Sequence, residues 1–408
     1  MAFVKEVTIR GFRTLKDATW KPGSLNVVIG QNGSGKSNLL WALKLLHESA
    51  RGRLRDSILA EGGFSQLLWN HTPQELAWSF TLDAVSAPFS FSFTYDLALR
   101  PNYPDGFCVQ YERLVAPPAA GSEGIHEPLK LLERDAQQMA LWDGKALVPV
   151  AHEEPPALLR RAEPAVPADQ TLLASSGPTA YSLVHIFWRL MALHQIYHDM
   201  VTHRGAKVRE AVVTRVEDIL DSDGQNLAAV LHTLYTKSRD FKRTLDGAMR
   251  AAFGKEFESL AFPPAADQKI QLAVQWRSLK KPVSAAYLSD GTLRFLMLAA
   301  VLANSEVLAP LQPLIAIDEP ETGLHPGMFR IIAELAAEAA KHTTVVFTTH
   351  SAEFLNAFSA EQAPTVTVAE LSDGQTHLRV KDGDELKRWL KEFRLGQMML
   401  SGDLEALS

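Results

Sequence analysis

The sequence contains a single cysteine, Cys108, among its 408 residues. No disulfide can form within one chain, and such a composition is typical of a reducing compartment, so we expect a cytoplasmic protein. Long hydrophobic runs are also missing, because the longest purely apolar stretch covers only residues 295–303 and is too short to cross a bilayer. The first residues lack the apolar core of a signal peptide. We therefore expect no membrane partner.

A large excess of either charge is absent as well. The 47 acidic and 41 basic residues leave a net charge of −6, which excludes a globally basic nucleic-acid binder but leaves room for a local basic patch. Hydrophobic residues make up 46% of the chain, enough to bury a sizeable core. The length predicts about two or three domains.

A complete phosphate-binding motif, G-x-x-x-x-G-K-[ST], runs from Gly30 to Ser37. A β-branched apolar stretch, residues 25–29, precedes it and a helical pattern, residues 38–46, follows it. Glycines let backbone N–H groups surround phosphate oxygens, and the helix N-terminus adds partial positive charge. We expect Lys36 to reach the β- and γ-phosphates of ATP and Ser37 to bind Mg²⁺. The predicted nucleotide contacts around this loop are Gly30, Asn32, Gly33, Ser34, Gly35, Lys36, Ser37 and Asn38.

Acidic residues and a histidine end two further apolar stretches. Residues 314–317 are followed by Asp318 and Glu319, and residues 344–349 are followed by His350. Because open α/β sheets bind ligands at the carboxyl ends of their strands, we expect Asp318 to hold Mg²⁺ and Glu319 to act as general base on the attacking water. We expect His350, one strand further on, to contact the γ-phosphate.

The segments between these motifs differ in periodicity. Alternation from residue 75 to about 116 predicts an antiparallel sheet. A stretch rich in Pro, Ala and Glu, residues 151–178, predicts a linker, and helical spacing from 179 to about 257 predicts a helical insertion. We therefore expect the N-terminal part of one domain over 1–150, the linker and insertion over 151–264, and the C-terminal part of the first domain over 265–408.

Three weaker signals lie outside these motifs. Gln66, which follows a Gly-Gly pair, is a candidate for a side chain that contacts metal and water. His194 and His198 are four residues apart and could share a metal, but no further ligand pair accompanies them, so core or surface histidines are favoured. Asp382 and Asp384 would suit a nuclease, which the few residues that remain disfavour.

A short turn, residues 289–292, opens the apolar helix that contains residues 295–303. Alone it is a weak anion-binding signal. Together with the phosphate loop, the acidic strand end and His350 it resembles the ATP-binding-cassette (ABC) ATPases, within them the RecF, SMC and OLD-like branch, and the stand-alone ATPases of the AAA_21 group. The resemblance covers nearly the whole chain.

That resemblance implies an α/β fold, an ABC-type P-loop ATPase head with a mixed sheet, an antiparallel β subdomain and a helical insertion. It implies ATP and Mg²⁺ as cofactors. It also implies that Ser289, Asp290 and Gly291, in the turn 289–292 that we call the signature turn, close over a nucleotide bound by a second copy, so that a homodimer forms. Asp290 complicates the charge balance of this contact, and capping of the helix is an alternative role for it.

The biological role stays open at this point. The first hypothesis is an ATP-driven switch that acts on DNA in repair or anti-phage defence, with a separately encoded effector such as a nuclease. OLD nucleases carry a Toprim domain, for which little sequence follows His350. Asp290 stands where transporters have Gly and disfavours a transporter subunit. The signature turn and the paired acids disfavour a P-loop kinase, and the intact catalytic set disfavours a purely structural role.

Overall fold

Two large β-sheets dominate the computed structural model of the protein, one antiparallel and one mostly parallel. Asp382 and Asp384, named above as a nuclease alternative, lie outside the described residues. The structure describes residues 1–71, 75–86, 89–102, 106–117, 128–135, 139–142, 147–149, 166–178, 183–308, 312–381, 383, 386 and 394–403.

The strands and helices are numbered separately in chain order. The strands are β1 Ala2–Phe12, β2 Leu15–Trp20, β3 Leu25–Ile29, β4 Leu76–Ser86, β5 Phe89–Asn102, β6 Gly106–Ala116, β7 Leu129–Arg134, β8 Met139–Trp142, β9 Leu147–Pro149, β10 Gln195–Tyr197, β11 Val212–Val213, β12 Phe257–Ala261, β13 Pro264–Ala265, β14 Lys269–Ile270, β15 Ala273–Trp276, β16 Val283–Ser284, β17 Leu314–Asp318, β18 Thr344–Thr349, β19 Thr365–Ser372 and β20 Gln375–Val380. The helices are α1 Lys36–Ala50, α2 Leu54–Ala60, α3 Leu172–Ser176, α4 Leu183–Ala192, α5 Leu227–Lys237, α6 Arg239–Phe253, α7 Asp290–Ala303, α8 Ser305–Leu308, α9 Phe329–Ala339, α10 Ala352–Leu355 and α11 Leu395–Ser401.

The antiparallel sheet has eight strands in the order β2-β1-β4-β5-β6-β7-β8-β9. Alternating aromatic and aliphatic residues place one face in the core, so that Phe80, Phe93 and Tyr95 are fully buried. Phe80 pairs with Tyr95 in register across β4 and β5. The antiparallel sheet predicted from the period-two pattern is confirmed.

The second sheet positions the candidate site. Its six strands run in the order β10-β17-β18-β3-β19-β20, and every pairing except β19 with β20 is parallel. All five residues of β3 and all six of β18 are buried, which fits sequences made mostly of aliphatic, aromatic and β-branched residues. Asp318 pairs with Thr348, and Thr349 pairs with Ile29. The carboxyl ends of β17, β18 and β3 therefore meet at one edge.

Alternate residues of this sheet enter two different hydrophobic clusters. Val27 and Ile317 pack with α7 and α9 on one face, whereas Val28 and Ala316 pack with α1 and the antiparallel sheet on the other. The stretch Asp290–Leu308 is long and apolar enough to cross a membrane, but 72% of its apolar window is buried inside the protein. Its burial is that of a helix in the core.

One part of the predicted helical insertion is wrong. Gln195–Tyr197 form β10, a fully buried edge strand that pairs in parallel with Ile315–Ile317 of β17. Three residues are too few for periodicity to separate strand from helix, and the pairing partner lies more than a hundred residues away. The division of the chain into three domain segments remains a proposal.

Candidate functional site

The phosphate loop folds tightly around the ammonium group of Lys36. Lys36 Nζ donates hydrogen bonds to the carbonyl oxygens of Gly30, at 2.8 Å, and Gln31, at 3.0 Å. Gly33 and Gly35 have φ angles of 82° and 99°, which favour glycine. Helix α1 begins at Lys36, so its N-terminal N–H groups point into the loop.

Several features of this loop fit a phosphate chain. Ser34 Oγ is buried and has no hydrogen-bond partner among the described residues. A Cβ at Gly30 would lie 2.3 Å from the carbonyl oxygen of Ala369, so only glycine allows this close approach. A cavity of about 380 Å³ lies against the loop, lined by residues 30–34 and 368–371. A buried donor, a positive helix end and open space together suit phosphate oxygens.

Hydrogen bonds from outside the loop hold its conformation. Asn38 Nδ2 donates to Thr14 Oγ1 at 2.8 Å, and Thr14 Oγ1 lies 2.7 Å from Thr376 Oγ1, which donates to the carbonyl oxygen of Ser34. The carbonyl oxygen of Ser34 can only accept, so the single hydroxyl proton of Thr376 is donated to it. Thr14 therefore donates its own hydroxyl proton to Thr376. Asn38, predicted as a nucleotide contact, therefore lies in a chain that supports the loop.

Asp318 lies at the end of β17 among three donors. Burial would raise the pKa of Asp318, but hydrogen bonds from His198, Thr348 and Ser37 outweigh it, and the pKa is lowered from its usual value. His198 Nδ1 lies 3.2 Å from Asp318 Oδ2. The carboxylate thus stays ionised at neutral pH beside the hydroxyl of Ser37, a donor set that suits Mg²⁺.

Glu319 adopts a backbone conformation that is unusual for its type. Its φ angle is 45°, and such left-handed conformations cost about 1–3 kcal/mol at non-glycine positions. Its N–H donates to the carbonyl oxygen of Thr348 at 3.1 Å, and its own carbonyl accepts from Arg294 Nη2 at 3.2 Å. The side chain turns toward His350, whose Nδ1 lies 2.9 Å from Glu319 Oε1. The structure therefore brings these two predicted catalytic residues together.

Glu321 is a third carboxylate at this edge that the sequence analysis did not identify. Its Oε1 accepts from Thr349 Oγ1 at 2.5 Å, whereas its Oε2 is buried without a hydrogen-bond partner among the described residues. Burial raises the pKa of Glu321. Its place two residues after Glu319, in the acidic run that ends β17, was the signal available in the sequence.

His198 was named in the sequence only as a possible metal ligand together with His194, and its contact with Asp318 was not predicted. It follows β10, and its ring stacks on Trp41 of α1 with centroids 4.3 Å apart and planes 12° from parallel. Only 7% of its side chain is exposed. Gln66, by contrast, is exposed in the short 3₁₀ turn Phe64–Leu67. A metal contact by Gln66 remains a prediction, whereas His198 contacts Asp318 directly.

The turn before α7 presents Ser289 and Asp290 to solvent. Ser289 caps the helix, because its Oγ accepts the N–H of Thr292 at 3.1 Å. Asp290 instead accepts from Arg209 Nη2 at 2.6 Å, so the alternative that Asp290 caps the helix is wrong. A Cβ at Gly291 would lie 2.8 Å from the carbonyl oxygen of Gly323, and the close packing explains the glycine.

Comparison with known proteins places this geometry in a family context. The family model AAA_21, described as "AAA domain, putative AbiEii toxin, Type IV TA system", matches residues 25–114 and 211–356. No curated protein matches the chain by sequence.

Solved structures resemble the chain in fold. One is an Smc head bound to the C-winged helix domain of ScpA, with a TM-score of 0.55, 13% identity, and 95% of this chain and 99% of that chain covered. Another is the Smc head domain with an extended coiled coil bound to the C-terminal domain of ScpA, from Pyrococcus furiosus. It has a TM-score of 0.51 and 12% identity, and covers 96% of this chain and 99% of its own. At these identities the likeness shows the fold: an ABC-type P-loop ATPase head.

The supporting chain around the phosphate loop leads to a first prediction. Thr14→Val should weaken ATP binding about tenfold, because the partly buried Asn38 amide loses its acceptor and Thr376 loses a donor, at a cost of about 1–3 kcal/mol that loosens the loop. The measurement is the dissociation constant for ATP, with thermal unfolding alongside. Thr8→Val is the matched control, since Thr8 lies on the same hairpin but bonds the exposed Thr19 at 3.0 Å. Equal ATP affinity in both variants would contradict the supporting role.

Proposed function

The chain belongs to the AAA_21 family, and from this premise and the geometry of the site we propose that it is an ATP-hydrolysing molecular switch. The observation that carries the proposal is the meeting of Lys36, Asp318, Glu319 and His350 at the shared carboxyl edge of β3, β17 and β18. A phosphate-binding loop, a metal-binding carboxylate and a base beside one another are the parts that phosphoryl transfer to water needs.

Ser37 and Asp318 would hold Mg²⁺, which when bound neutralises charge that develops on the phosphate oxygens. Lys36 would supply a second positive charge to the phosphate oxygens. Glu319 accepts the proton of the attacking water. His350 remains the proposed contact to the γ-phosphate, and its Nδ1 also holds the Glu319 carboxylate in place. The half-exposed position of Glu319, with 39% of its side chain accessible, leaves room for that water.

Variants at the two ends of the site should separate ATP binding from hydrolysis. Lys36→Ala should lose most of its ATP affinity, because the phosphate charge loses its main counter-ion. Glu319→Gln should keep ATP affinity and hydrolyse ATP about 10²–10⁴-fold more slowly, the usual contribution of a general base. Equilibrium binding measures the ATP affinity, and single-turnover kinetics measure the rate of hydrolysis. Hydrolysis by Glu319→Gln at the wild-type rate would show that Glu319 is not the base.

His198 should act on the metal through Asp318. His198→Ala should raise the Mg²⁺ concentration needed for half-maximal hydrolysis about 10–100-fold, as is typical when the hydrogen bond to a metal ligand is lost. ATP binding without Mg²⁺ should change little. His232→Ala is the control, because His232 packs edge-on against Phe262 in the insertion. An unchanged Mg²⁺ dependence in His198→Ala would rule this role out.

We further propose that ATP joins two chains in a homodimer. Ser289 is exposed at the N-terminus of a 14-residue helix, where a hydroxyl, free N–H groups and a positive helix end are available to an anion. A nucleotide on the phosphate loop of one chain leaves γ-phosphate oxygens open to such donors from the other. The exposure of this turn supports the arrangement that the family resemblance implies.

Ser289→Arg tests this arrangement. In the Glu319→Gln background, ATP should cause the parent protein to sediment as a dimer, whereas Ser289→Arg should stay monomeric with its ATP affinity intact. Ser238→Arg is the matched control, because Ser238 caps α6 in the same way, with Oγ accepting the N–H of Phe241 at 3.2 Å. A nucleotide-independent mass in the parent, or ATP-driven dimers of Ser289→Arg, would contradict the model.

The proposed setting of this switch is DNA repair or anti-phage defence in the cytoplasm, with a separately encoded effector such as a nuclease. The family description, which names a toxin system, is compatible with defence. A transporter subunit is the alternative, and Asp290 in the signature turn weighs against it. A P-loop kinase would not need the signature turn at all.

A further inference from the structure

One buried arginine ties the signature turn to the insertion. Arg209 lies in the short 3₁₀ turn Lys207–Arg209, and only 7% of its side chain is exposed. Its Nε donates to the carbonyl oxygens of Thr202, at 2.8 Å, and His203, at 3.2 Å. One edge of the guanidinium is therefore anchored within its own segment.

The other edge brackets Ser289. Arg209 Nη1 donates to the carbonyl oxygens of Leu288, at 2.7 Å, and Ala285, at 3.0 Å, and Nη2 donates to Asp290 Oδ1 at 2.6 Å. Leu288 and Asp290 are the residues directly before and after Ser289. A planar guanidinium with donors in a rigid fork can hold both at once, which a lysine cannot do.

The contact between Arg209 and Asp290 also affects the charge of the signature turn. Asp290 places a carboxylate, 64% exposed, beside the hydroxyl that is proposed to meet a phosphate group. A carboxylate and a phosphate group placed side by side repel one another. The Arg209 guanidinium compensates the carboxylate and draws it to one side of the turn.

We propose that Arg209 is the positioning residue of the signature turn, holding Ser289 ready for the partner's nucleotide and compensating the charge of Asp290. The inference rests on the proposed ATP-driven homodimer. It assigns a function to the segment Thr202–Arg209, which connects β10 to the rest of the insertion: its folded state determines whether the signature turn can close.

The test uses full-length protein in the Glu319→Gln background. Arg209→Lys and Arg209→Met should each weaken ATP-driven association by at least about tenfold, a free-energy difference of about 1.4 kcal/mol. ATP affinity of the monomer should stay within about twofold, because the phosphate loop of the same chain is untouched. The double variant Arg209→Met/Asp290→Asn should recover part of the association, since the uncompensated charge is gone. A merely structural arginine would show no such recovery.

Arg134→Met is the matched control for loss of a buried arginine. Arg134 is 3% exposed and donates to the carbonyl oxygen of Gln170 at 2.6 Å, in the antiparallel sheet. It should lower the melting temperature and leave ATP-driven association unchanged.

If the Arg209 variants are too unstable to purify, Asp290→Asn alone decides, because its side chain is exposed. With Arg209 intact, Asp290→Asn should associate at least as well as the parent protein, and weaker association would overturn the charge argument. If both Arg209 variants associated with ATP as strongly as the parent protein, the proposal for Arg209 would be overturned but the proposed homodimer would not. A parent protein that does not associate with ATP would overturn both.

Discussion

The site depends on how one buried ammonium group is balanced by three carboxylates. Lys36 is 5% exposed, and burial lowers its pKa more than the nearby charges of Glu319, Asp318 and Glu321 raise it, so that the pKa of Lys36 is lowered. These acids differ in surroundings: donors lower the pKa of Asp318, burial raises that of Glu321, and Glu319 is half-exposed. Such differences in environment support the proposed division of roles, with Asp318 as metal ligand and Glu319 as base.

The two sheets meet at the phosphate loop, and this explains why its conformation depends on distant residues. Trp20 Nε1 donates to Thr367 Oγ1 at 3.1 Å, and the N–H of Val4 donates to Thr344 Oγ1 at 2.9 Å. Hydrogen bonds therefore connect the hairpin β1–β2 to both β18 and β19. Thr14, at the tip of that hairpin, then reaches the loop itself. The antiparallel sheet therefore supports the conformation of the phosphate loop.

Local patterns were enough to predict the elements that carry the main motifs. The β-branched run Leu25–Ile29 is β3 to the residue, and the apolar run before Asp318 is β17. Strand, glycine turn and helix each follow from a few neighbouring residues. The fold class was predicted differently, from the resemblance of these motifs, taken together, to the ABC ATPases.

The other elements and contacts of the site depend on pairing between strands that are far apart in the sequence, which no local pattern encodes. β10 is a strand because β17 offers backbone partners, and His198 enters the site only through that strand. Thr376 reaches the loop from β20, 342 residues after Ser34. These residues are ordinary threonines and histidines in sequence. Only the strand order of the sheet makes them part of the site.

The charge of the signature turn links these long-range contacts to mechanism. At an effective dielectric of about 20, like unit charges about 4–6 Å apart repel by roughly 3–4 kcal/mol, enough to prevent a weak interface from closing. A sequence that places Asp290 beside Ser289 therefore needs a fixed positive charge nearby, and Arg209 supplies it from a segment about 80 residues earlier. In the proposed homodimer the insertion therefore takes part in closure, because without Arg209 the turn would carry an uncompensated acid toward the partner's phosphates.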